Sequence, residues 1–381
     1  MDFQLTEEHR MVQSMVREFA SKEILPVAAE LDHTETFPQE IIKKAAALGL
    51  MGMVVPERYG GAGMDAIAYV VAHEELARAS AGVQTIITVS NSLVADPILR
   101  YGTQAQRQRY LPGLCDGTRL GCYCLTEPSA GSDAMSLSTT ARRDGDEWVL
   151  RGTKAFVSSG VEADTCIVYA RTGQEGARGI SAFIVEKSFP GIAVGKIEKK
   201  LGIKCSSTSE IVLDDCRVPA DNVLGDLGAG GKIALSALDG GRLGIAAQAI
   251  GIARAALEDS IAYASERQQF GRPIAEFQAI QWMLADMATR IEASRLLAYR
   301  AAYLRQQGQR YTKEASMAKL FASETAMWAS HKAVQIHGGY GYIQDYAVER
   351  YFRDAKITEI YEGTSEIQRL VIARNVMERM Q

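Results

Sequence analysis

Glu362 is the side chain of this 381-residue sequence whose neighbours point most directly to chemistry. It lies in the stretch IYEGTSEIQ, between an aromatic ring and a Gly-Thr pair that introduces the last predicted helix. A carboxylate there has a simple structural explanation, because the free N–H groups at a helix start and the helix dipole favour negative charge. The alternative is a general base that takes a proton from a ligand. This stretch alone does not decide between the two.

Two stretches rich in hydroxyl groups could line a ligand site. In CYCLTEPSAGSDA, Thr126 and Ser132 stand beside small residues that let a ligand approach the backbone. In KAFVSSG, Phe156 is either a core side chain or a face for a planar ring, and Ser158 offers a hydroxyl to the edge of that ring. Taken alone, the first stretch is also an ordinary turn-rich loop.

Three further stretches carry arginine, glutamine or closely spaced glycines. LDGGR and ERQQFGRPIAEFQ contain Arg242, Arg267 and Gln278, for which surface salt bridges are the ordinary explanation. AVQIHGGYGYIQDY contains three glycines that allow a phosphate or a sugar to approach the backbone. A helix end explains one of these glycines but not all three.

The composition argues against several classes of protein. Hydrophobic residues make up 47% and charged residues 23% of the sequence, as in ordinary folded proteins, and the length predicts two or three compact units. The net charge is −4 and the basic residues are scattered, which argues against nucleic-acid binding. The chain start lacks a signal-peptide pattern and no run of about 18 apolar residues occurs. A cytoplasmic protein without a membrane span is predicted.

The cysteines and histidines show no metal-binding pattern. The six cysteines include no CxxC pair, and no histidine lies beside them at zinc-ligand spacing. The five histidines form no HExxH motif. We therefore predict reduced core thiols and no metal site.

Three successive regions must position the candidate residues. The pattern is helical up to about Arg109, short and β-rich as far as Leu224, and helical again in long segments after that. These patterns predict an all-α domain (1–120), a central β domain (121–230) and a helical bundle (231–381).

Some local features follow from the same patterns. In the first predicted helix, one apolar stripe is formed by Met11, Val12, Met15, Val16 and Phe19. The segment RRDGDEWVL predicts a hairpin that turns on Asp144-Gly145. The glycine cluster at 225–231 predicts a flexible joint rather than a dinucleotide-binding loop, because no βαβ unit surrounds it.

Together and in this order, these stretches resemble the acyl-CoA dehydrogenase family of flavoproteins over essentially the whole chain. The motifs that carry the resemblance are YCLTEPSAGSD, KAFVSSG, LDGGR, ERQQFGRPIAEFQ, QIHGGYGY and IYEGTSEIQ. The resemblance is nearest to the short-chain, or butyryl-CoA, branch. It implies an α+β multidomain fold with an N-terminal helical domain, a central β-barrel domain and a C-terminal four-helix bundle. It also implies a homotetramer.

The resemblance further implies FAD as the cofactor. Arg267, Gln278 and the segment 335–339 match positions that grip the pyrophosphate, ribityl or adenine parts of FAD, partly across a subunit interface. Phe156 and Ser158 replace residues of a Trp-Ile-Thr segment found in many relatives, which keeps the aromatic face and the hydroxyl. The full set expected to contact FAD is Tyr123, Leu125, Thr126, Gly131, Ser132, Phe156, Val157, Ser158, Arg267, Phe270, Gln278, Gln335, Gly338, Gly339, Thr364 and Glu366.

The implied reaction removes two hydrogens from a saturated acyl-CoA to give the trans-2-enoyl-CoA, as in fatty acid β-oxidation. Glu362 matches the general base that takes the α-proton, and electrons are expected to pass to electron transfer flavoprotein. The positions that match the substrate side are Ser132, Asp239, Arg242 and Gly363. Acyl length, branching and ring preference are left open by the sequence.

Two alternatives compete with this interpretation. An acyl-CoA oxidase would hand electrons to oxygen, but the chain is much shorter than the usual oxidase. A catalytically silent member could act as an assembly or binding partner, but Glu362 and the flavin motifs are intact. In some relatives the base lies immediately before the arginine of the LDGGR segment, where this chain has Gly241. Glu362 is therefore expected to be the sole base.

Overall fold

The N-terminal part of the chain is helical, as the pattern predicts. The computed structural model describes residues 4–173 and 176–378, so the outermost three residues at each end of the chain lie outside the description. The first helices are α1 (Glu7–Phe19), α2 (Ala28–Thr34), α3 (Gln39–Ala47), α4 (Ala66–Ala79), α5 (Ala81–Thr88), α6 (Asp96–Tyr101) and α7 (Gln104–Cys115). The helical region thus continues past Arg109, the end expected from the pattern.

In the first helix, the predicted apolar stripe is confirmed in part. Thr6 caps α1, and its side chain accepts a hydrogen bond from His9 N at 3.2 Å, which satisfies a free N–H at the helix start. Val16 and Phe19 are buried as predicted, whereas Met11 is 66% exposed. Val12 and Met15 are partly buried and pack against the core, so the predicted stripe was too wide only at Met11.

The central region is a β domain. Its strands are β1 (Gly121–Cys124), β2 (Thr140–Asp144), β3 (Glu147–Ser158), β4 (Thr165–Arg171), β5 (Ile180–Glu186), β6 (Ile192–Ile197), β7 (Thr208–Pro219) and β8 (Val223–Leu224). They pair in the order β6-β7-β3-β2-β4-β5-β8, with β1 added parallel to β4. No pairing between described residues joins β6 to β8, so the sheet is an open path rather than the closed barrel that the resemblance implies.

Alternate residues of the strands supply two separate cores. Ile167, Tyr169 and Ile184 pack with the N-terminal helices, while Val168 and Phe183 point to the other face. The predicted hairpin exists, but Asp144 pairs with Glu147, so the two-residue turn is Gly145-Asp146. Gly145 supplies the positive φ of 61° that this short turn needs.

Long helices form the C-terminal part. They are α8 (Gly230–Glu266), α9 (Gln278–Gln306), α10 (Thr312–His337), α11 (Val348–Thr358) and α12 (Ser365–Glu378), with a short ribbon of β9 (Gln268–Gln269) and β10 (Arg272–Pro273) after α8. Helix α8 is central and packs against α4, α9, α10 and α11. Among the described helices, none combines the length and the apolar character needed to cross a membrane.

The glycine cluster and the cysteines occupy packed positions. A Cβ on Gly230 would lie 2.5 Å from the backbone of Ser181, so this end of the predicted joint is pressed against β5. All six cysteines are free and buried, which confirms the prediction of core thiols. The Sγ atoms of Cys122, Cys124 and Cys166 lie within 4.8 Å of one another, a cluster that sequence spacing did not reveal.

Candidate active site

A cavity of about 630 Å³ lies where the N-terminal helices, the β domain and the C-terminal helices meet. Ten of the residues singled out from the sequence line it together: Tyr123, Leu125, Thr126, Gly131, Ser132, Phe156, Ser158, Arg242, Glu362 and Gly363. Residues separated by more than two hundred positions therefore line one cavity. This is the size expected of a small-molecule site.

Glu362 projects from a strained turn between α11 and α12. Its φ is 56° and that of Gly363 is 91°, and the left-handed region is unfavourable for a residue with a side chain. Three side chains hold the turn. Gln368 Nε2 donates to Glu362 O at 3.0 Å and to Gly363 O at 2.9 Å, Lys319 Nζ donates to Gly363 O at 2.8 Å, and Arg242 Nε approaches Glu362 O at 3.5 Å. The turn is thus fixed before any ligand arrives.

The carboxylate of Glu362 is poised for proton transfer. Its Oε2 is buried without a hydrogen-bond partner among the described residues. Burial raises the pKa of Glu362 to about 8, while the charges of Arg242 and Lys319 oppose this rise. A Cβ at position 241 would lie 2.6 Å from the carboxyl carbon, so glycine leaves room for the observed rotamer of Glu362 and a larger residue would displace the carboxylate. A carboxylate with a raised pKa beside a cavity is suited to act as a general base near neutral pH.

Arg242 and Asp239 form a buried pair next to this turn. Arg242 Nη1 donates to Asp239 Oδ1 at 2.7 Å and to Ser316 Oγ at 3.3 Å. Thr312 Oγ1 donates to the other oxygen of Asp239 at 2.6 Å. Arg242 lines the cavity, whereas Asp239 does not. Asp239 can therefore affect a ligand only through its hydrogen bond with Arg242.

The loop after β1 is fixed from behind by a buried carboxylate. Glu127 accepts hydrogen bonds from Ser138 N at 2.6 Å, Thr139 N at 3.0 Å and Lys154 Nζ at 2.7 Å. Burial alone would raise the pKa of Glu127, but Lys154 and these donors hold it at about 2. Lys154 also donates to Leu125 O at 3.2 Å. The loop that carries Thr126 and Ser132 is therefore tied to β3.

A bulge in β3 turns Phe156 out of the sheet. The register with β7 shifts between Lys154 and Val157, and Phe156 has a φ of 55°. The ring is 67% exposed, while the side chain of Val157 is buried in the core of the β domain. A bulge that re-aims one side chain is common beside active sites. Val157 can therefore reach a ligand only through its backbone.

The remaining predicted cofactor residues lie elsewhere in the single chain. Arg267, Gly338 and Gly339 line a second cavity of about 430 Å³. The side chains of Phe270, Gln278 and Gln335 are exposed and line neither cavity. One chain does not bring this group to Glu362.

Thr364 and Glu366 belong to the start of α12. Thr364 Oγ1 accepts a hydrogen bond from Ile367 N at 3.3 Å, which caps the helix, and Glu366 is exposed. Neither side chain lines the cavity of Glu362. The helix-start explanation considered for Glu362 therefore applies to its neighbours rather than to Glu362 itself.

Several residues of the site were missed from the sequence. Tyr361 and Gln368 lie inside the IYEGTSEIQ motif, so the motif itself was a signal for them. Lys319, Gln248 and Thr85 are single polar residues in helical segments, and nothing in the local pattern marks them. Tyr361 OH donates to Gln248 Oε1, and Gln248 Nε2 donates to Thr85 Oγ1 at 2.8 Å.

The cavity fits the flavin that the resemblance implies. The Phe156 ring presents a face, and the hydroxyls of Thr126 and Ser158 lie on the same lining. No atom lies within 4 Å of the place where a Cβ on Gly131 would stand, so the backbone there is open to a ligand. An aromatic face, hydroxyl groups and open backbone suit a planar ring with polar edges.

Comparisons with known proteins agree with this geometry. The chain matches the N-terminal domain of acyl-CoA dehydrogenase over residues 6–118, the middle domain over 122–216 and the C-terminal domain over 228–377. It is 50% identical to the short-chain specific acyl-CoA dehydrogenase of Clostridium acetobutylicum, with 99% of this chain and 100% of that protein covered. It is also 50% identical to the acryloyl-CoA reductase (NADH) of Anaerotignum propionicum, with 100% and 97% covered.

Solved structures are also similar to this chain over nearly its whole length. Butyryl-CoA dehydrogenase from Megasphaera elsdenii superposes with a TM-score of 0.97 at 45% identity over 99% of this chain and 100% of that chain. A chain in a structure of the electron transferring flavoprotein of Acidaminococcus fermentans, solved to address flavin-based electron bifurcation, gives 0.98 at 49% over 99% of each chain.

A further solved relative carries the reduced cofactor. It is a glutaryl-CoA dehydrogenase of Mycobacterium smegmatis in complex with FADH2, which gives a TM-score of 0.93 at 34% identity over 98% of this chain and 95% of that chain. The family models, the full-length relatives and the solved structures all cover nearly the whole chain. The chain therefore belongs to the acyl-CoA dehydrogenase family and is an FAD-dependent enzyme.

Proposed function

We propose that this enzyme converts a saturated acyl-CoA to its trans-2-enoyl-CoA, with Glu362 as the base that takes the α-proton. The observation that carries the proposal is the Glu362 carboxylate, which enters the cavity without a hydrogen-bond partner. Its raised pKa gives it the basicity to take a weakly acidic proton. Gly363 beside it leaves room for the thioester.

The backbone of the same turn supports this role. No acceptor among the described residues takes the N–H of Glu362, which lies outside any helix. A free N–H beside the base can polarise the thioester carbonyl and stabilise the negative charge that develops when the α-proton leaves. We propose that Ser132, Asp239, Arg242 and Gly363 serve the substrate side.

The proposed binding of FAD divides between two surfaces of the chain. When bound, FAD supplies the acceptor for the hydride that leaves the β-carbon. The residues proposed to hold its ring system line the main cavity or lie beside it: Tyr123, Leu125, Thr126, Gly131, Ser132, Phe156, Val157 and Ser158. Thr364 and Glu366, at the start of α12, are proposed as further contacts.

A neighbouring subunit would supply the rest of the FAD site. Arg267, Phe270, Gln278, Gln335, Gly338 and Gly339 lie away from Glu362 in one chain, as expected of residues that act across an interface. Trp282 and Tyr342 near this surface are 64% and 86% exposed, which is unusual for large apolar side chains left to solvent. We propose a homotetramer in which these residues reach FAD of another subunit.

A short acyl group is the proposed substrate class. Thr85, Thr88 and Tyr361 line the cavity, and Tyr361 and Thr85 are both joined to the buried Gln248 behind them. A longer acyl chain could pass this hydrogen-bonded wall only by separating these partners, which would leave buried polar groups unsatisfied. The short-chain relative supports the same class.

Electron transfer flavoprotein is the proposed acceptor of the electrons. The similarity to a chain in the Acidaminococcus structure supports this partner, and the similarity to an acryloyl-CoA reductase supports the reverse direction on the same residues. Air oxidation of the substrate-reduced enzyme should be slow and oxidation by electron transfer flavoprotein fast. Rapid peroxide formation in stopped-flow mixing with oxygen would favour an oxidase instead.

The experiment that tests the proposal uses the purified flavoprotein. Butyryl-CoA added without oxygen should bleach the flavin absorbance within a single turnover in the wild type. Glu362→Gln should keep FAD and bind acyl-CoA yet bleach about 10²- to 10⁴-fold more slowly. Acyl-CoAs from C4 to C16, with isovaleryl-CoA, then rank the substrates. Near-normal bleaching in Glu362→Gln, or a colourless protein, would refute the assignment.

We also propose that the chain divides into three domains, at 1–120, 121–230 and 231–381. Boundaries near residues 120 and 230 are supported by the gaps between the matched family segments, which end at 118 and 216 and resume at 122 and 228.

A further inference from the structure

Lys319 is a buried cation that the proposed chemistry does not use. It lies in α10 with no exposed surface, and its Nζ donates to Gly363 O at 2.8 Å. No carboxylate oxygen of the described residues lies within 4.0 Å of this ammonium group. Burying a charge without a direct partner is costly, and an apolar side chain could fill the same space. The position of Lys319 therefore calls for a functional reason.

The charges around Glu362 supply that reason. Arg242 faces the same turn, but Asp239 accepts its hydrogen bond at 2.7 Å and offsets its charge. Lys319 has no such partner, so it adds to Arg242 a second positive charge that can balance ionised Glu362. The charges of Lys319 and Glu362 also shift each other's pKa. Burial lowers the pKa of Lys319 and raises the pKa of Glu362, and the charge of each group opposes the shift of the other, so ionised Glu362 favours protonated Lys319 and protonated Lys319 favours ionised Glu362.

Lys319 also fixes the conformation of the turn. Gly363 O accepts hydrogen bonds from both Lys319 and Gln368, and Ser316, one turn earlier on the same face of α10, accepts from Arg242. Glu362 holds a positive φ that is unfavourable for a residue with a side chain, so the turn needs this support. Helix α10 thus backs the turn with two polar side chains.

We propose that Lys319 is a positioning residue for Glu362: Lys319 holds the turn through Gly363 O and supplies, beside Arg242, a buried positive charge that balances the ionised carboxylate. The inference rests on the proposed role of Glu362 as the base. It predicts two separable effects, one from the hydrogen bond and one from the charge.

The sense of the pH effect follows from the surrounding groups. The other charges that act on Glu362 or Lys319 are Arg242, which is paired with Asp239, and Glu359 and Glu366 on either side of the turn. The charge of Glu362 also acts on three phenols, those of Tyr69, Tyr123 and Tyr361. Burial raises the pKa of each phenol, so these remain neutral over the working range. Removing the Lys319 charge therefore leaves Glu362 harder to ionise, and the pH–rate curve should move to higher pH.

Three variants separate the two effects in the FAD-loaded enzyme. Lys319→Met removes both the charge and the hydrogen bond, Lys319→Gln keeps a donor without the charge, and Lys319→Arg keeps the charge. Lys332→Met, on the same helix and remote from the turn, is the matched control. The titration of Glu362 is followed by infrared difference spectroscopy of its carboxyl group, assigned by its loss in Glu362→Gln. The pH dependence of flavin bleaching by butyryl-CoA is measured in parallel.

The expected result is a rise of about one pH unit or more in the Glu362 midpoint for Lys319→Met and Lys319→Gln. Bleaching at a pH below the wild-type midpoint should fall about tenfold and recover at higher pH. Lys319→Arg and Lys332→Met should keep the wild-type midpoint. If Lys319→Met does not fold, Lys319→Gln carries the test. An unchanged midpoint in the uncharged variants, or a rate loss equal at every pH, would overturn the inference while Glu362→Gln still tests the base itself.

Discussion

Replacing Glu362 by glutamine should stabilise the folded enzyme while it removes activity. The pKa of this carboxyl rises from 4.5 to about 8 on folding, mainly through burial. Because a raised pKa favours the protonated form in the folded state, the folded state loses stability as the pH rises from 4.5 through about 8. Glutamine resembles the protonated carboxyl and does not titrate, so Glu362→Gln is spared this loss.

The magnitude follows from linkage between protonation and folding. At 1.36 kcal/mol per pH unit, the upper limit of the gain is about 2 kcal/mol at pH 6 and about 5 kcal/mol at pH 8 or above. The side chain is partly open to the cavity, so we expect a smaller gain, on the order of 1–3 kcal/mol at high pH. The difference between wild type and variant should therefore grow with pH and reach several degrees in Tm.

Thermal unfolding in excess FAD from pH 6 to pH 9 is the assay, because excess cofactor keeps its own contribution constant. Glu324→Gln, an exposed carboxylate paired with Arg369 on the surface, is the control and should shift Tm little at any pH. A Tm for Glu362→Gln that falls, or that exceeds the wild type by the same amount at every pH, would refute the view that burial of this carboxylate is costly.

Three other predictions test the geometry of the site. A glutamate introduced by Gly241→Glu in a Glu362→Gly background should recover part of the bleaching rate, because position 241 faces the space of the present carboxylate; no rate above Glu362→Gly alone would contradict it. Arg267→Ala combined with Gln278→Ala should lower FAD retention, and stoichiometric FAD with unchanged mass in light scattering would refute the interface role. Gln248→Ala should extend the accepted acyl chain and change the C4-to-C8 preference about tenfold or more in kcat/KM.

The fold was predictable from the sequence to the extent that local patterns determine it. The helical, β-rich and helical regions occur in the predicted order, because long apolar patterns bounded by Pro, Gly and polar residues identify helices well. The order of strands in the sheet was not predictable, since β3 pairs with β7 across some sixty residues and local patterns carry no such information. Met11 was placed wrongly because a helical stripe shows period and not the width of the partner surface.

The site residues likewise fall into two groups, those that the sequence reveals and those that only the folded structure reveals. Glu362, Thr126 and Phe156 stand in motifs whose residues are unusual for their local structure, so the sequence alone singles them out. Lys319 and Gln248 act through contacts with residues far along the chain, at Gly363 and Thr85, and look like ordinary helical residues in sequence. The hydrogen bonds that support a catalytic turn are long-range, so the supporting residues become visible only when the helices are packed.

One physical requirement connects the strained turn, the buried lysine and the glycine at position 241. A base that must take a weakly acidic proton needs a raised pKa, and burial provides it only if no hydrogen-bond donor satisfies the carboxylate. An unsatisfied carboxylate would leave the cavity if its backbone could relax, so the turn is held through its carbonyls rather than through the carboxylate. Gly241 leaves the space that such a carboxylate needs, since any side chain there would overlap it. The donors that position Glu362 therefore act on its backbone, and this leaves the reactive oxygens free.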